Sequence, residues 1–139
     1  MSNGGNVPPP IDSNEWLARF ILSRTHLRPD RTIKQDAFIP YPYPDLSVTR
    51  HLQLSAAELW QIGRDVALPT GKTLYGRADV RVFVFQQREL QVVPAPLIPE
   101  NPNHAIVVGW PADKPAQKVV AQQIAAAAGK ALDPPPTQN

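Results

Sequence analysis

The chain contains no cysteine. That excludes a disulfide framework, a thiol nucleophile and any thiolate metal site, and it fits a reducing compartment. No run approaches the roughly 18 to 20 apolar residues that span a bilayer as a helix. The first residues, Met1 to Asp12, carry neither the basic start nor the apolar stretch of a secretory signal. These absences make a cytoplasmic protein with no membrane contact the expectation.

Several motifs that carry chemistry are missing as well. The histidines His26, His51 and His104 have no His-Glu-x-x-His spacing and none of the paired His-x-Ser/Thr motifs of two-histidine phosphoesterases, so no metal and no cofactor is expected. Thr70-Gly71-Lys72-Thr73 ends like a phosphate-binding loop, but Val66 stands where that loop requires its first glycine. No Gly-x-Ser-x-Gly elbow surrounds Ser23, Ser47 or Ser55. The Ser-Thr-Ser and Glu-x-Glu patterns that would join Arg28-Pro29-Asp30 to ADP-ribosyltransferase chemistry do not occur.

The 139 residues, 42% of them hydrophobic, suffice for one domain with a real core. Its 17 prolines concentrate at the two ends, in Pro40-Tyr41-Pro42-Tyr43-Pro44 and between Pro94 and Pro102. The expected layout is a disordered extension over 1–12, a domain over 13–132 and a disordered tail over 133–139. The net charge of +2 is too small to argue for a nucleic-acid partner by itself. Its distribution is uneven: Arg19, Arg24, Arg28, Arg31 and Lys34 face one acid, Asp30, which gives that segment about +4.

Along the chain, Ser13 or Asn14 could cap a helix, yet Phe20-Ile21-Leu22 is β-rich and Arg28–Arg31 reads as a turn before Thr32-Ile33. The preferred reading of this region is strand, turn, strand. The prolines at 40, 42 and 44 lack amide donors, so this segment is expected to be an extended strap. Leu46 and Val48 alternate with Ser47 and Thr49 as in a half-buried strand that ends at Arg50 and His51. Ser55-Ala56-Ala57-Glu58 is a capping box, and the helix it opens is expected over Ala56–Val66, with Gly63 admitting a neighbouring backbone. Ala78–Phe85 is expected to be a strand forming a hairpin with Leu90–Val93. Ala105–Val108, fenced by Pro102 and Gly109-Trp110-Pro111, reads as a buried strand feeding a second helix over Pro115–Ala131. The fold class is therefore α+β, a single domain with a mixed sheet of five or six short strands and two main helices packed on it.

Phe20-Ile21-Leu22 with His26, Ala37-Phe38, Leu46–Arg50, Gly76-Arg77-Ala78-Asp79 and His104–Pro111 together resemble a family of small, functionally uncharacterised bacterial proteins, over about residues 18–130. The resemblance implies a bacterial, single-domain, cytoplasmic protein and carries no activity with it. The residues themselves allow three functions. The first is a non-catalytic binding or accessory module that meets another protein through its basic segment, proline strap and aromatics. The second is a small enzyme acting on a phosphate-bearing substrate, with Arg28, Arg50 and Arg77 holding the anion and His26 or His104 moving a proton, since guanidinium forks and near-neutral imidazoles suit those tasks. The third is nucleic-acid binding through the 19–34 segment. Partner identity, oligomeric state and the choice between catalysis and binding stay open at this point.

Overall fold

Five alternating or β-branched stretches become the strands β1 (Trp16–Ile21), β2 (Leu46–Arg50), β3 (Gly76–Arg81), β4 (Gln91–Pro94) and β5 (His104–Val108) in the computed structural model, which describes residues 7–136. They pair in the order β3-β1-β2-β5-β4, every pairing antiparallel. Three helices join them: α1 (Ala56–Ala67), the short α2 (Val82–Gln86) and α3 (Lys114–Ala128). The molecule is a single α+β domain with two principal helices, α1 and α3.

The two faces of the sheet are covered unequally. The first face buries Leu17, Ile21, Leu46, Val48, Val80, Val92, Ala105 and Val107 against α2 and α3 and the turn at Gln35–Phe38, through Val82, Phe85, Ala121, Ile124 and Phe38. α3 starts on the Asp113 side chain, which accepts from the Ala116 amide at 2.7 Å, and has Pro115 in its first turn. Ala121 and Ala125 are small, so this helix lies close to the sheet while Ile124, fully buried, fills the space between. On the second face α1 covers β1 and β3. Its capping box forms as the sequence predicts, with Ser55 Oγ accepting from the Glu58 amide at 3.1 Å and Glu58 Oε1 accepting from the Ser55 amide at 2.8 Å. Gly63 is required there: a Cβ at this position would stand 2.7 Å from the Phe20 ring.

Five expectations are corrected. The strand foreseen over Ala78–Phe85 ends at Arg81, and Val82–Gln86 turns into α2. An apolar run of this length suits a strand or a helix equally. Here the helix lets Val82 and Phe85, three residues apart, both point into the core. The hairpin of that segment with Leu90–Val93 does not form, because α2 carries the chain beneath the sheet and delivers β4 to the opposite edge, beside β5. Thr32 and Ile33 make only isolated bridges, to Lys130 and Leu27. The Tyr41–Pro44 segment is turned rather than extended, with the Tyr43 amide donating to Pro40 O, and it leaves Tyr41 and Tyr43 exposed. α3 also stops three residues early, where Gly129 takes φ +72° and the following residues fold back to bridge Thr32 and Arg77.

The N-terminal segment is tied to the sheet by one buried cation. Arg50, 1% exposed, gives Nε and Nη2 to the two Glu15 carboxylate oxygens at 2.8 and 2.9 Å, Nη1 to Pro9 O at 2.8 Å and Nη2 also to Pro10 O at 3.1 Å. Of the extension foreseen over 1–12, residues 1–6 lie outside the described residues, as do 137–139 of the tail. Asp133 in the remaining tail is ion-paired with Arg31. Replacing Glu15 by Ala strands the Arg50 charge in the interior and is expected to cost about 3–5 kcal/mol in urea unfolding. The double variant Glu15→Leu/Arg50→Met, which removes both charges, recovers much of that loss.

Candidate functional site

Residues directly opposite one another in antiparallel strands point to the same side of a sheet. Ala18 pairs with both Asp79 and Thr49, and Thr49 pairs with His104, so these four side chains form a row across β3, β1, β2 and β5 on the second face. Above the middle of this row α1 stops short and the loop between β4 and β5 folds over from the other side. The result is a cleft of about 350 Å³. Ala18, Phe20, Ser47, Thr49 and His104 form its sheet side, Ile62, Asp65 and Val66 come from α1, and Leu97, Glu100 and Asn101 come from the loop. The volume lies at the lower end of the range for sites that hold an organic ligand or a few large side chains, roughly 300 to 1,000 Å³.

The cleft is mostly apolar, and Asn101 and His104 in it are held by hydrogen bonds. The Asn101 side-chain amide donates to Thr49 Oγ1 at 3.0 Å, and its carbonyl oxygen accepts from the Asn103 amide at 3.2 Å. His104 Nδ1 lies 2.8 Å from Ala95 O. A carbonyl can only accept, so Nδ1 carries a proton and Nε2 of the neutral ring is an acceptor. Asn103 pins the loop further, with Nδ2 donating to Arg50 O at 3.0 Å and its own carbonyl accepting from the Arg50 amide at 2.9 Å. These bonds hold the loop wall against β2.

Of the five residues singled out from the sequence, only His104 lines this cleft. His26 sits half-buried in a 3-10 turn (Arg24–His26), where burial pulls its imidazole below the ordinary value. Arg28 lies at a shallow depression against α3 and donates to Ile33 O at 3.1 Å. Arg50 is on the first face, consumed by Glu15, Pro9 and Pro10. Arg77 lies under α1, with its guanidinium 4.6 Å from the centre of the Trp60 ring and its Nε and Nη2 on Asp79 at 2.9 and 3.1 Å. The histidines and arginines therefore stand in separate places. The cleft residues Ser47, Thr49, Asp65, Asn101 and Glu100 were not singled out as site residues. Ser47 and Thr49 had a signal, the polar side of the β2 alternation, but nothing local marks which loop will close over it.

In comparison with known proteins, no family model, no curated protein and no solved structure matches the chain. Among the described residues, no group of three or more His, Asp or Glu side chains is arranged to hold a metal ion, and no helix is long and apolar enough to cross a membrane.

Beside the cleft, His51 Nε2 lies 3.0 Å from Asp79 Oδ1, so Asp79 joins His51 to Arg77. Burial pushes the Asp79 carboxyl up, but hydrogen bonds from His51 and Arg77, with the charge of those groups, outweigh it and hold the pKa below the ordinary carboxylate value. A folded-state pKa lower than the unfolded one contributes stability that is complete above the unfolded value, about 3.9, and is lost as pH falls through the folded one. The urea midpoint of the native chain is therefore expected to fall more steeply below about pH 4 than that of Asp79→Asn. Parallel slopes would show that the Asp79 pairs contribute nothing.

Proposed function

We propose that this chain is a non-catalytic binding or accessory module of a bacterial system, working in the cytoplasm by contact with another protein. The observation that carries the reading is the apolar cleft on the open half of the second sheet face. Its surroundings extend the apolar surface: Val66 is 43% exposed and Leu97 49%, and both are large hydrophobic residues next to a concavity, the usual form of a docking site.

The arrangement of the charged groups supports binding over group transfer. A phosphate-directed enzyme needs a guanidinium near its proton-transferring histidine, and here Arg28, Arg50 and Arg77 are bonded to partners of their own, away from His104. The basic 19–34 segment is also largely spent within the chain. Arg19 donates to Ala37 O and Ser47 O, with burial pulling its pKa down to about 10, Arg24 lies over Tyr75, and Arg31 pairs with Asp133 and donates to Tyr75 O. Cations occupied in this way offer a phosphate backbone little.

A photo-crosslinking residue placed at Val66 or Leu97 in the native host is expected to give the same discrete protein adduct from both positions. The adduct should vanish when the cleft is filled by Ser47→Trp, an exposed position where the larger ring need not disturb the core. Adducts that persist in Ser47→Trp, that arise equally from Val119 on the outer face of α3, or that fail to form would overturn the reading.

A further inference from the structure

Among the described residues the second face of the sheet carries one helix, α1. α1 lies over β1 and β3, whereas Ser47, on the central strand, is exposed, as is Val93 on β4. An antiparallel sheet can leave part of one face in solvent, and that part is where a partner can lie against it. The strands beneath the cleft restrict what can lie there. β1 and β2 are each paired on both sides, so an extended peptide laid over them finds no free ladder groups to satisfy its backbone. An α-helix brings its backbone hydrogen bonds with it and needs only an apolar stripe.

The charges at the rim are one-sided. Asp65 approaches from α1 and Glu100 from the β4–β5 loop, so carboxylates flank the cleft on two sides. Both are exposed; Asp65 accepts from Gln61 Nε2 at 2.9 Å, and neither is in an ion pair among the described residues. The only cation lining the cleft among the described residues, Arg19, already has its guanidinium on two backbone carbonyls. An apolar floor between two carboxylates is complementary to an apolar stripe flanked by positive charge.

We infer that the cleft receives an amphipathic helix of the partner protein, its apolar stripe seated on Phe20, Val66 and Leu97 and its flanking lysine or arginine side chains at Asp65 and Glu100. The inference rests on the binding-module reading and names the occupant of that same site. The incoming helix lies along the mouth of the cleft, between α1 and the β4–β5 loop, and covers Ser47.

The test uses three synthetic helical peptides with one shared leucine stripe and lysine, glutamine or glutamate at the flanking positions. Each is titrated into the full chain and followed by backbone amide shifts. The lysine peptide is expected to bind on the order of 3- to 10-fold more tightly than the glutamate peptide, as two exposed ion pairs allow. It should shift the amides of Ala18, Phe20, Val66 and His104. In Asp65→Asn/Glu100→Gln the preference disappears while the glutamine peptide binds as before, and high salt has the same effect. Ser47→Trp, its fold checked by circular dichroism, should bind none of the three. Equal binding of all three peptides at the cleft would overturn the charge selection and leave the binding-module reading standing on its crosslinks. Shifts confined to other surfaces, an absence of shifts, or undiminished binding to Ser47→Trp would overturn the helical occupant altogether.

Discussion

A guanidinium taken out of water is tolerated only where acceptors surround it, and Arg50 finds all of its acceptors in one short stretch of chain. Glu15 supplies both carboxylate oxygens, and Pro9 and Pro10 supply backbone carbonyls. Because Arg50 ends β2 and Glu15 immediately precedes β1, the ion pair sets these two strands side by side at that end. The same residue fixes the loop wall of the cleft, since its amide and carbonyl are both bonded to Asn103. One residue thus joins the N-terminal segment to the middle of the sheet through its charge, and the loop that closes over His104 through its backbone.

Beside this anchor stands an asymmetry between the two faces of the sheet. The first face of the sheet carries nearly all of the large buried side chains, and α2 and α3 fill it. The second face is built from smaller or polar groups, Ala18, Ser47, Thr49 and His104, and α1 meets it only on one side, through Phe20, Trp60 and Gly63. Stability is concentrated on one face, leaving part of the other free to present an apolar floor with a few oriented polar groups.

The residues foreseen as a site illustrate the limit of composition-based reasoning. Arginine and histidine attract attention because their chemistry is versatile, but each of these arginines had a nearer use. Arg77 neutralises Asp79, two residues along the same strand, and covers Trp60; Arg28 closes its own turn onto Ile33. His104 keeps a place in the cleft because β5 begins there, at the junction of loop and strand. The acidic rim escaped notice because Asp65 and Glu100 lie in different elements and become neighbours of one cavity only after folding.

The sequence by itself determined the local structure wherever one segment contains its own stabilising partners. The Ser55–Glu58 capping box and the α1 stripe, the Asp113 and Pro115 start of α3, and the alternation of β2 all act between residues a few positions apart. Only the tertiary structure decided the rest. Val82–Phe85 is helical because the chain must cross under the sheet, β4 pairs with β5 because that crossing delivers it to the far edge, and the cleft exists because a helix and a loop from distant parts of the chain stop short of each other. Those outcomes depend on which surfaces remain uncovered once the strands have assembled. That is a property of the packed whole, and no window of neighbouring residues encodes it.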